Sequence, residues 1–289
     1  MQEINFYLPD FFYLYDLNMY IIDLLNNKPE LFRDNIKIKA LYGTFPGAYW
    51  NAGRVFHGNA DNSNIENTIN YINNVNVAVR FTFTNTMITE HLLYDPYCNF
   101  IMEKANNGMN EVLVNHPLLE KYLRKTYPNF KYISSTTKCL LDINKINKEC
   151  EKYDLMVLDY RKNKDKDFHK KLKPKDKIEL LLNAYCSPEC KQRTKHYEYL
   201  SKCQITGEVP KEFCDILKHS FYDMIKLSST ISPDELYDYY INQGFRHFKI
   251  EGRTLHIIDA IENYVYYLFK PEYRDIARYN IIKDFWNYQ

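Results

Sequence analysis

Val77–Thr84 reads VAVRFTFT, a run of β-branched and aromatic side chains that favours an extended strand. Similar runs stand on either side: Ile36–Tyr42 (IKIKALY), Glu111–Asn115 (EVLVN), Phe130–Ser135 (FKYISS), Leu155–Tyr160 (LMVLDY), Lys177–Tyr185 (KIELLLNAY), Met224–Ser228 (MIKLS) and Phe245–Ile250 (FRHFKI). The segments between them read at helical period, among them His116–Tyr127, Asp142–Tyr153 and Ser232–Gln243. The last opens on Ser-Pro-Asp-Glu, an N-cap followed by proline and an acidic first turn, and stops at Gly244. Strands that alternate with helices pair in parallel through right-handed crossovers, and eight such units predict a single (β/α)8 TIM-type barrel. The rival is an open doubly wound sheet. Residues 1–35 read as an N-terminal helical extension and 36–289 as the barrel, with no second domain.

The chain of 289 residues is long enough for such a barrel, and its 45% hydrophobic content supplies a large core. A formal charge of +1 excludes a whole-surface positive field. The apolar run from Phe11 to Leu25 is broken by Asp16, Asn18 and Asp23, so neither a signal peptide nor a membrane span is expected. Seven cysteines without an export signal favour a reducing, cytoplasmic setting. The excess of Tyr, Phe, Asn, Ile and Lys fits an AT-rich coding bias and carries little functional information.

Active sites of such barrels sit at the C-terminal ends of the strands. Polar residues stand at the expected ends: Arg80 and Asn85, Asn115 and His116, Asp159 and Arg161, Asn183 and Tyr185, Glu251 and Arg253. The densest constellation is Cys186, Cys190, Cys203 and Cys214, with spacing C-x3-C-x12-C-x10-C after the strand Lys177–Tyr185. Four thiolates suit an iron–sulfur cluster, and three of them with His196 suit zinc. The spacing matches no standard finger or ferredoxin, so unrelated thiols fit it equally. Cys98, Cys139 and Cys150 are scattered and read as packing residues.

A second constellation is Phe248–Arg253, FKIEGR, read with Phe248 and Ile250 facing into the barrel and Gly252 allowing a sharp turn beside Glu251 and Arg253. This motif, followed by Tyr264, Tyr266 and Tyr267, resembles the closing signature of the collagenase-like peptidase family, peptidase family U32. The stretch Ile231–Gly244, the cysteine group and the strand ending at Asn85 fit its layout from about Ile36 to Phe269. The resemblance implies a barrel and, among the family's oxygen-independent hydroxylation proteins, a [4Fe–4S] cluster with prephenate as hydroxyl donor and an RNA base or small aromatic molecule as substrate. It implies Cys186, Cys190, Cys203 and Cys214 as cluster ligands. The first cysteine pair is closer than the family pattern, and no sizeable RNA-binding extension follows the barrel.

A carboxylate substrate or donor needs cations, and Arg80, Arg161 and Arg253 come from separate strand ends, with Asn183 and Glu251 as hydrogen-bonding neighbours. A peptidase would need a dispersed Cys–His or Ser–His pair, since neither a zincin helix motif nor a G-x-S-x-G elbow is present. The basic run Lys162–Lys177 after Arg161 is the candidate RNA contact, with a solvated loop as its bland alternative. A non-catalytic barrel that serves as a scaffold for a protein partner, with structural metal or none, is the remaining reading.

Overall fold

A computed structural model describes residues 3–211, 220–253 and 255–286 and has eight parallel strands closed into a barrel in sequence order. They are β1 (Ile4–Pro9), β2 (Ile36–Gly43), β3 (Ala78–Phe83), β4 (Glu111–Val114), β5 (Lys131–Ser134), β6 (Leu155–Val157), β7 (Ile178–Leu181) and β8 (His247–Lys249). The ring closes where β1 meets β8, with Asn5 opposite His247 and Tyr7 opposite Lys249. Seven expected strands are present. The eighth differs: Met224–Ser228 is the end of helix α8 (Phe221–Met224) and the turn after it, whereas Ile4–Pro9 supplies the first strand. Residues 1–35 are therefore not an appended helix, because β1 and helix α1 (Tyr15–Asn27) form the first β/α unit. The physical reason is that β1 is buried along its whole length, so INFYLP lacks the alternation that marks a half-exposed strand. A five-residue stretch such as MIKLS, with three apolar residues, is too short to be assigned by period alone.

Along the strands, one parity faces the helices and the other faces the barrel axis. Val79, Phe81 and Phe83 of β3, Val112 and Val114 of β4, and Phe248 and Ile250 in and after β8 join the large apolar cluster packed under the helices. The opposite parity contributes Tyr7, Ala40, Tyr42, Ala78, Leu113, Ile133, Leu155 and Val157 to a smaller cluster inside the ring. The reading of Phe248 and Ile250 as inward is thus corrected: the larger apolar surface lies outside the ring, so the bulky residues go there. The residues that alternate with them, His247, Lys249 and Glu251, turn inward.

The interior also holds charge. Arg80, fully buried at the middle of β3, donates from Nε to Glu111 of β4 and from Nη1 to Glu179 of β7, both at 2.5 Å, and its guanidinium lies 3.8 Å from the ring centre of Tyr7. His247 accepts or donates a 2.6 Å hydrogen bond with the Tyr7 hydroxyl. Burial pushes its imidazole down to about 4, so the ring is neutral.

Local signals hold where their chemistry is explicit. Ser232 and Glu235 form the reciprocal capping box at the start of helix α9 (Pro233–Glu235), which continues as a π-helical turn over Leu236–Tyr240, and Gly244 ends the segment at φ +98°. Gly252 serves packing rather than conformation: a Cβ there would stand 2.6 Å from Cγ of Pro9, at the end of the neighbouring strand. Helix α10 (Ile257–Leu268) begins only after the His256 cap, so no sharp strand-to-helix turn falls at Gly252. Among the described residues, no helix is long and apolar enough to cross a membrane.

Candidate functional site

A half-open cavity of about 550 Å³, part of it continuous with solvent, occupies the C-terminal mouth of the barrel. Its charged lining is Arg54, Lys249, Glu251 and Arg253, three cations against one carboxylate, and hydroxyls from Tyr42, Thr82, Thr84, Ser135, Thr136, Thr137 and Tyr197 surround them. Lys249 and Glu251 arrive by the inward parity of β8, and Arg54 comes from the loop after β2. The Arg54 guanidinium pairs with Glu251 through Nη2 and Oε1.

Arg253 is fixed by neutral acceptors: Nη1 donates to Thr82 Oγ1 at 2.8 Å and to Asn51 Oδ1 at 3.3 Å, and Nη2 donates to the Ala52 carbonyl at 3.2 Å. Gly53 makes room for it, at φ +80° and with Nη2 of Arg253 only 3.1 Å from where a Cβ would sit. Burial lowers the pKa of Arg253, Arg54 adds repulsion, and the opposing pull of Tyr42, Asp10 and Glu251 falls short.

Lys249 is the least ordinary group in the site. It is 7% exposed, and its Nζ sits 3.7 Å from the ring centre of Tyr42. Among the described residues its amine makes no hydrogen bond or ion pair. Burial lowers its pKa to about 7; Arg80 and Arg253 push the same way, while Glu179 and Glu251 oppose. A buried lysine is ordinarily paired. Here burial favours the uncharged amine.

Helix α7 (Arg193–Thr206) roofs the mouth. At its start, Arg193 pairs with Asp159 beyond β6 and donates to Tyr197. At its far end, Ser201 bonds Thr86 and receives Asn85 on its carbonyl, while Gln204 bonds Ala48 and Phe56 in the loop after β2. The helix therefore crosses from the β6 side to the β2–β3 side, with Tyr197 over the cavity between.

That crossing decides the geometry of the cysteines. Cys186 and Cys190 lie by the β6 end, where Tyr160 donates to the Ser187 carbonyl and Arg161 to the Cys190 carbonyl. Cys203 is fully buried at the other end of α7, with its carbonyl facing His57. The ten residues from Arg193 to Cys203 span ~15 Å of helix. Among the described residues, no three His, Cys, Asp or Glu side chains are grouped to hold a metal ion. This covers the zinc set of three thiolates with His196 as far as it is described; Cys214 lies outside the described residues. The thiols that can be placed do not fit a cluster or a zinc ion, and burial raises the pKa of Cys186, which opposes the thiolate form.

Of the other expected site residues, Glu251 and Arg253 meet at the cavity. Asn183 lies behind it, accepting from the Glu251 backbone N–H at 2.6 Å and donating to the Glu251 carbonyl, so it positions that turn. Arg161 forms a two-nitrogen fork onto Asp159. Arg80 sits below the cavity within its two carboxylates and does not join Arg253. Lysines of the basic run are paired, Lys162 with Asp165 and Lys170 with Asp167 within the run and Lys164 with Glu235 of α9, and its aromatic, Phe168, is buried. Sequence reasoning missed Lys249, Arg54 and Tyr197. Lys249 was reachable, since it shares parity with Glu251 two residues on.

At the opposite end, beside the start of β1, a second cavity is lined by Arg33, Asp34, Arg246 and Lys270 among others.

No protein-family model matches the sequence, and no curated protein does. Among solved structures, the chain is similar to one described as the U32 peptidase Mk0906, with a TM-score of 0.53 at 13% identity over 87% of this chain and 94% of that one. At that identity the likeness is one of fold: this chain has the barrel architecture of a protein described as a U32 peptidase.

Proposed function

We propose that the chain is a barrel enzyme of the U32-peptidase type that acts on a small carboxylate-bearing molecule held at the barrel mouth. The observation that carries this reading is the charge of the cavity: Arg54, Lys249 and Arg253 converge there against Glu251 alone, and Glu251 already pairs with Arg54. Arg253 lines the cavity and can turn N–H groups to a carboxylate in exchange for the neutral acceptors that hold it, and hydroxyls on the β3 and β5 sides can orient the rest of the molecule. Tyr197 of α7 adds a further hydroxyl to the lining.

Hydroxylation through an iron–sulfur cluster draws no support from the thiols that can be placed, and no step is assigned to such a group. Proteolysis is the second reading. What favours it is the likeness to a protein described as a peptidase, and a peptide's terminal carboxylate would use the same cations.

Calorimetric titration tests the reading with small mono- and dicarboxylates set against their amides. Carboxylates are expected to bind and amides not to. Arg253→Gln is expected to weaken binding about 10- to 100-fold, the worth of one charge-assisted pair. Equal binding of acids and amides, or an unchanged affinity in R253Q, would remove it.

A further inference from the structure

We propose that Lys249 is an amine nucleophile that condenses with the carbonyl of a 2-oxo carboxylate bound at the mouth. The inference rests on the carboxylate reading above and names the substrate class. Three observations carry it. Lys249 lines the cavity although its side chain is almost fully buried. Its Nζ is packed on the Tyr42 ring and has no carboxylate partner among the described residues, unlike Arg80 directly below, which holds two. Arg253, two positions beyond the inward Glu251, lines the same cavity and can take the carboxylate of a ligand whose adjacent carbon then faces Lys249.

Burial lowers the pKa of this amine and so enlarges the share of the neutral form, which a nucleophile requires. Its lone pair attacks the carbonyl carbon, the C=O π pair moves to oxygen, and a proton passes from nitrogen to that oxygen, giving a carbinolamine. Expulsion of the hydroxyl with the second amine proton releases water and leaves the C=N bond. Protonation of that nitrogen gives an iminium, and hydrolysis reverses the sequence. No oxidant or reductant is consumed.

The experiment treats the full chain with pyruvate, 2-oxoglutarate or phenylpyruvate and sodium borohydride, which reduces a C=N bond to a stable secondary amine. Intact mass and peptide mapping then locate the adduct, and calorimetry without borohydride measures binding. At least one acid is expected to give a single saturable adduct on the peptide holding Lys249, suppressed by lactate as a carboxylate without a carbonyl. Lys249→Arg and Lys249→Met should both lose the adduct while each variant keeps a cooperative melt. Binding of a 2-oxo acid without a reducible adduct, or an adduct that persists in K249R, overturns the nucleophile and leaves the carboxylate site standing. Absence of any carboxylate binding to the wild-type chain overturns both.

Discussion

Lys249→Met is expected to stabilise the chain by on the order of 4–5 kcal/mol near pH 6 and by almost nothing above about pH 10.5. An unfolded lysine titrates near ~10.4, whereas burial in the mouth brings Lys249 down to about 7. Between those values the unfolded chain holds a proton that the native chain has released, so native stability climbs with pH through that window. The penalty is fully present below about pH 7, where the native amine must be charged beside Arg80 and Arg253, against which Glu179, Glu251 and the Tyr42 ring compensate in part. Methionine fills a similar volume without charge. Thermal melts of both proteins from pH 6 to pH 10.5 measure the difference. A less stable K249M at pH 6 would mean that the lysine is a paired structural cation. A residue that costs stability where it stands is the pattern expected of a functional group.

Arg80→Met has the opposite sign and a comparable size. It would leave Glu111 and Glu179, which share one guanidinium inside the barrel, facing each other in a buried space with the counter-charge gone. Removing one partner of a buried ion pair costs about 3–5 kcal/mol, on the order of 10 °C in melting temperature for a domain of this size. Most of the loss should return in the triple variant with Glu111→Gln and Glu179→Gln, because the desolvated charges are then removed together. Chemical denaturation of the single and triple variants separates the two cases. A triple variant no better than R80M alone would show that packing of Arg80 on Tyr7, rather than charge balance, carries its contribution.

Much of the ring was legible because parallel strands buried between helices and axis leave dense runs of β-branched and aromatic residues, as in β3 and β7. The exceptions are instructive. β1 shows no alternation and lies next to the helical stretch of α1, and MIKLS, with its three apolar residues in five, satisfies either period. The site was legible in part. Glu251 and Arg253 stood at a strand end, whereas Arg54 and Tyr197 come from a loop and a roofing helix whose approach to the mouth depends on Asp159, Asn85, Ala48 and Phe56, all distant in sequence. The cysteines illustrate the converse. Proximity along the chain does not survive a helix that carries Cys203 across the mouth from Cys186.

A crystal structure of the chain with a bound small carboxylate such as pyruvate decides whether the barrel mouth is the carboxylate site. The carboxylate oxygens are expected on the Arg253 guanidinium at the mouth, with the neighbouring carbon facing Lys249. A carboxylate found instead among Arg33, Arg246 and Lys270 at the opposite end, with the mouth holding only solvent, would contradict it.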